Sequence, residues 1–242
     1  MSYIFTLSST NHALNIDFIN PIQLEPESTY GLALIGFHSY NSIPNIEPGR
    51  NKFEYQNVET GKKKCIIIPT GSYEIRDLEQ YLQTCLISIG EPKHLHGKHL
   101  SLKPNNNTLK CEIYSEKYQI DFKAPDSIGR LLGFSRLVLR PGTVHESDQP
   151  VDVVKVKTLH IDCNITTGSF YKDRPTHTIY EFALDSNPGY AVDETPRHII
   201  YLPVVNKNQI TNISLRVLDQ NFEPVNFRGE EVIIRLELKK LT

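Results

Sequence analysis

The chain has 242 residues, 39% hydrophobic and 22% charged, with 26 basic against 28 acidic side chains and a formal net charge of −2. That composition supports a sizeable core and excludes a disordered chain, and it lacks the basic excess of a nucleic-acid-binding domain, so no sequence-specific nucleic-acid partner is expected. No apolar run approaches the roughly 20 residues that span a bilayer, and MSYIFTLSSTNHALNIDF at the start has neither the basic nor the apolar region of a signal peptide, so no membrane segment is expected either.

Strand-like alternation begins at once. YIFTLSS (3–9), LNIDFI (14–19), TYGLALIGF (29–37), NKFEYQNV (51–58) and KCIIIP (64–69) read as strands bounded by turn residues. A helix interrupts them over 72–89, where Ile75, Leu78, Leu82, Cys85, Leu86 and Ile89 form one apolar stripe at spacings of three and four. Ser72 stands where an N-cap belongs and Gly90 where a terminating glycine does. The strand–glycine–helix order of IIIPTGSYEI is also that of a phosphate-binding loop. PTGSY lacks the glycine repeat and the Lys-Ser/Thr pair such a loop needs, so this helix is expected to pack on a sheet rather than hold a nucleotide.

HLSLKP (99–104), TLKCEIYS (108–115) and YQIDF (118–122) follow, with NNN at 105–107 and SEK at 115–117 as hairpin turns. SIGRLLGF (127–134) reads as a second short helix that gathers Ile128, Leu131, Leu132 and Phe134. Five further strands lie at 153–165, 177–184, 197–205, 210–219 and 230–241. In the last, Val232, Ile234, Leu236 and Leu238 share one face. Roughly a dozen strands and few helices predict an all-β chain, a jelly-roll β-sandwich with two helical insertions at about 72–89 and 127–134. Residues 1–242 are expected to form one such unit. If the chain instead makes two compact lobes, the polar stretch RPGTVHESDQP (140–150) is where they divide.

Few residues suggest chemistry. His94, His96 and His99 are the best metal candidates, since the first two share one face of an extended segment, but no Cys or acidic ligand stands nearby to complete a zinc set. They read as solvent-exposed loop histidines. VHESD (144–148) holds His, Ser and acid side by side, whereas a catalytic triad brings its members from separate elements. The carboxylates of Asp185, Asp193, Glu194, Asp219, Glu230 and Glu231 show no readable pairing. Cys65, Cys85, Cys111 and Cys163 are widely spaced and read as reduced, buried thiols. No enzymatic activity, cofactor or metal is expected.

Several segments together resemble a known family. PIQLEPESTYGLALIGFHSYNSIPNI, NKFEY, IIIPTGSYEIRDLEQYL and SIGRLLGF, followed by IIYLPV, ISLRVLDQ and PVNFRGEEVIIRLELKK, appear in an order similar to that of jelly-roll capsid proteins of Polinton/Maverick-type elements and adintovirus-like viruses. The resemblance implies a structural capsid protein of the virion, assembled inside a host cell and partnered by copies of itself and by other capsid proteins. It leaves two roles: a penton-like vertex protein with one roll, assembling as a pentamer, or a major capsid protein with two compact rolls, assembling as a trimer. The strand count favours the first. A monomeric β-sandwich that binds sugar or protein is the reading from a different class.

Overall fold

The computed structural model describes residues 2–91, 99–206 and 208–242. Three strands open the chain: β1 (Ser2–Ser9), β2 (Ala13–Gln23) and β3 (Tyr30–Tyr40). Next come β4 (Lys52–Asn57), β5 (Lys63–Ile67), the helix α1 (Ile75–Ser88), β6 (Leu100–Asn105), β7 (Lys110–Ser115), β8 (Tyr118–Asp121), β9 (Val138–Leu139) and β10 (Val144–Glu146). The rest holds β11 (Thr158–Cys163), β12 (Ser169–Tyr171), β13 (Arg174–Thr176), β14 (Thr178–Ala183), β15 (Ala191–Glu194), β16 (Leu202–Pro203), β17 (Gln209–Leu218) and β18 (Val232–Lys240). The chain divides into two compact units, one of residues 1–43 with 156–242 and the other of residues 44–155. The polar stretch 140–150 lies inside the second.

The first unit is a jelly roll. Its eight principal strands form two antiparallel sheets, β1-β18-β3-β15 and β14-β11-β17-β2. Numbered along the unit, these orders are 1-8-3-6 and 5-4-7-2, the interleaving of two Greek keys that rolls a ribbon into a double sheet. Period-2 alternation places the core. Val232, Ile234, Leu236 and Leu238 of β18 are fully buried, as are Ile213, Leu215 and Val217 of β17 in the other sheet. Short β16 pairs with β3 through Leu202 opposite Leu32. The register of β3 against β18 slips between Arg235 and Leu236, with Ile35 as the extra residue of the bulge.

The second unit, inserted between β3 and β11, holds two smaller sheets, β5-β4-β8-β9 and β10-β7-β6. Seven strands in sheets of four and three, among the described residues, do not make a second eight-stranded roll. Helix α1 buries Ile75, Leu78, Leu82 and Leu86 in this unit's core. Its start lies later than expected: Glu74 is the N-cap and donates its N–H to Asp77 Oδ2 at 3.0 Å, one arm of a capping box. Its end is as expected. Gly90, at φ 79°, donates to Ile87 O and Glu91 to Leu86 O, the paired bonds of a Schellman motif.

Three expectations are corrected here. Residues 127–134 form consecutive turns, not a helix. Ile128, Leu132 and Phe134 are buried, the first two completely, and Leu131 is half-buried against the same core. The helix fails because Gly133 takes φ +80°, and a Cβ there would fall 2.1 Å from the Gln149 carbonyl oxygen, so the Leu-Leu-Gly-Phe segment turns tightly against another stretch of backbone. The SEK turn at 115–117 does not close a hairpin, because β7 pairs with β6 and β10 while β8 pairs with β4 and β9. Ser115 Oγ accepts the Tyr118 N–H at 2.9 Å and fixes this change of sheet. Among the described residues there are also eighteen strands instead of a dozen. Short ones such as β9 and β16 are too brief to leave an alternation in sequence.

Candidate functional site

Sequence singled out two places for chemistry, the turn before α1 and the histidines after it. In the turn, the Gly71 N–H donates to Ile46 O at 3.1 Å and its carbonyl accepts from Asn45 and Ile46. The Tyr73 N–H donates to Asn45 Oδ1 at 3.0 Å, and Asn45 Nδ2 donates to Tyr73 O and Val153 O. Two N–H groups of the turn, those of Gly71 and Tyr73, are therefore engaged within the fold rather than offered to a phosphate. Gly71 does not adopt a left-handed backbone. Glycine fits there for space, since a Cβ would meet the Tyr73 ring at 2.7 Å.

Of the histidines, His94 and His96 lie outside the described residues. His99 is buried, against the expectation of an exposed loop, with its ring 6.4 Å from that of Tyr118 and its N–H donated to Gln83 Oε1. Among the described residues no cluster of three or more His, Cys, Asp or Glu could hold a metal. In VHESD, His145 Nε2 lies 2.8 Å from Arg140 O, while Ser147 Oγ donates to Gln149 O and accepts the Cys111 N–H. Each is occupied locally. The four cysteines are free thiols. Cys111 and Cys163 are buried, which pushes them up to about 12 and about 11, but Cys65 is exposed and Cys85 half-buried.

A polar cluster in the inserted unit went unseen in sequence. Glu91, with a side chain 7% exposed, sits 2.6 Å from Lys64 Nζ and accepts hydrogen bonds at 3.3 Å from Tyr55, Asn57 and Tyr118. Burial raises its carboxyl, but the bonds from Lys64, Asn57 and Tyr118 and the Lys64 charge outweigh it, holding Glu91 below the ordinary glutamate range. Burial first and the Glu91 charge second push the Tyr55 and Tyr118 phenols up.

The most site-like feature is a cleft of about 350 Å³ in the jelly-roll unit. His160 on β11 stands opposite Glu181 on β14 in the sheet register. The turn after β17 is tied by Asp219, whose Oδ1 accepts the N–H groups of Asn221 and Glu223. That tie holds Phe222 at φ 63° and brings its ring to 4.8 Å from His160, stacked within 29°. Tyr171, from the β12–β13 hairpin, meets Phe222 edge-on at 4.9 Å. Its ring also carries Lys172 Nζ 5.4 Å from the centroid. Phe170, Tyr180, Ile200 and Leu202 line the rest, with Phe170 70% and Ile200 66% exposed. The His160 ring is 5% exposed, and its Nδ1 lies 3.2 Å from Glu181 Oε2 without the alignment of a hydrogen bond. Phe222 lies in the stretch DQNFEPVNF that follows β17. His160 and Glu181 are identifiable only as polar positions on alternating strands.

No protein-family model matches the chain, and no curated protein does. Solved structures do match. One is the crystal structure of the selenomethionine-labelled mavirus penton protein, at a TM-score of 0.49 and 12% identity over 100% of both chains. No helix among the described residues is long and apolar enough to cross a membrane.

Proposed function

We propose that this protein is a non-enzymatic capsid component of a virus or virus-derived element, a penton-like vertex protein that assembles into a closed ring, with a pentamer preferred over a trimer. The observation that carries this reading is the strand order 1-8-3-6 over 5-4-7-2. Jelly rolls of this kind build viral shells as well as lectin domains, and the resemblance of the chain's segments to Polinton/Maverick-type capsid proteins favours the shell. The inserted unit, with seven strands among its described residues, favours the single-roll role over the double-roll one.

The surface suits repeated side-to-side contact. Ile4 on β1 and Ile19 on β2 are 59% and 99% exposed, and each of these strands ends its sheet. Edge strands with exposed apolar residues invite a neighbour. Joining one patch to a different patch on the next copy closes a ring when the rotation permits. A near-neutral net charge of −2 keeps repulsion between copies small.

Size-exclusion chromatography with light scattering, followed by negative-stain microscopy, tests the proposal. The expected result is a single closed oligomer whose population grows with protein concentration, with rings in the images. A monomer at every concentration and salt tested, alone and with co-expressed capsid partners, would overturn it.

A further inference from the structure

We propose that the cleft beside β14 binds an arginine side chain carried on an extended segment of a partner polypeptide. The charge of the cleft points to a cation. Glu181 is the one carboxylate among its described lining residues, and none of those residues is a lysine or arginine. The Glu181 carboxylate is also open to a forked donor. His160 Nδ1 and Glu181 Oε2 lie 3.2 Å apart without forming an aligned hydrogen bond with each other. His160 Nδ1 is itself buried, so it is Glu181, 64% exposed, that presents its oxygens to the cleft. A planar guanidinium donates to both oxygens of a carboxylate at once, whereas an ammonium is a point charge.

The aromatic walls favour the same group. Phe222 and Tyr171 offer ring faces and edges around His160, and guanidinium ions stack on such surfaces. Outside the lining residues, Lys172 Nζ already lies 5.4 Å from the centroid of the Tyr171 ring, so that ring is able to meet a cation. Ile200 and Leu202 supply an apolar wall for the methylene stem, as long charged side chains require. A volume of about 350 Å³ lies within the range of side-chain and small-ligand sites. A polypeptide is the fitting carrier because β14 ends its sheet, pairing with β11 on one side. The other edge can take an extended chain by strand addition.

The test uses the full chain and three probes: acetyl-Val-Arg-Val-amide, the same peptide with citrulline for arginine, and agmatine, which has the side chain without the peptide. Carbon-13 aromatic signals of Tyr171, Phe222 and His160 report binding at low protein concentration, whatever the oligomeric state. The arginine peptide is expected to saturate, with agmatine weaker and citrulline weaker by about tenfold or more, as loss of a charge-assisted contact predicts. Glu181→Gln, at a side chain 64% exposed, should weaken the arginine peptide by a similar factor while leaving Tm unchanged. Phe170→Ala should weaken all three probes. Equal binding of the citrulline peptide, an unaltered affinity in Glu181→Gln, or no saturation at millimolar concentration would each overturn the proposal. Agmatine binding as tightly as the peptide would overturn the polypeptide carrier. Assembly of the protein is read separately by light scattering, so failure here leaves the capsid proposal standing on its own test.

Discussion

Glu91 in the inserted unit and Glu181 in the jelly-roll unit are both carboxylates set beside aromatic rings, and their surroundings differ in kind. Glu91 is nearly enclosed and meets Lys64, Tyr55, Asn57 and Tyr118. Its hydrogen-bonding capacity is filled from within the chain, so the cluster is a structural fastening between the end of α1 and strands β4, β5 and β8. Glu181 is 64% exposed, and its nearest polar neighbour, His160 Nδ1, is close but misaligned. A buried polar group satisfied internally fixes a fold, while one left short of a partner at an open cleft is available to a ligand. The contrast separates a stabilising carboxylate from a recognising one.

Mutation can break that contrast in a graded way. The apolar reference is Leu82→Ala, which removes a fully buried side chain from beneath α1 and should cost about 2–5 kcal/mol by urea denaturation. Glu91→Gln keeps the volume but removes the charge that Lys64 and the phenols address, and should cost about 1–3 kcal/mol. Its effect should also depend on pH. A carboxyl held below its ordinary value stabilises the fold fully above about pH 4.3 and loses that contribution as pH falls through the lowered folded value. The gap between wild type and Glu91→Gln should therefore narrow in acid. A gap that is constant with pH would show that the charge of Glu91 contributes nothing to stability. The smallest effect belongs to Glu181→Gln, expected within about 0.5 kcal/mol of wild type. A larger loss would make Glu181 a structural residue like Glu91 and remove the contrast.

The legibility of the sequence followed how local each signal was. The alternation of Val232, Ile234, Leu236 and Leu238 in β18 and the stripe of α1 were readable because strand and helix periods are properties of short windows. SIGRLLGF misled because its apolar residues are spaced as in a helix, while Gly133 adopts a positive φ that no helix contains. The N-terminal cap of α1 lies two residues past Ser72, because the turn paired along Asn45 and Ile46 keeps the chain extended through Glu74 before the helix begins.

By itself, then, the sequence determined the all-β class, most of the long strands, the buried face of α1 and its glycine stop. Strand order was beyond it, because each pairing joins segments far apart in the chain and many orders bury the same alternating faces equally well. Tertiary structure alone decided that β18 lies between β1 and β3, and that a whole unit is inserted between β3 and β11. The same holds for the cleft. His160, Tyr171, Glu181 and Phe222 come from three strands and a turn, and their meeting depends on the β11–β14 register and on the Asp219-tied turn. A side chain's chemistry is written at its own position, but its neighbours across a sheet are set by cooperative packing of the whole unit, which no local window contains.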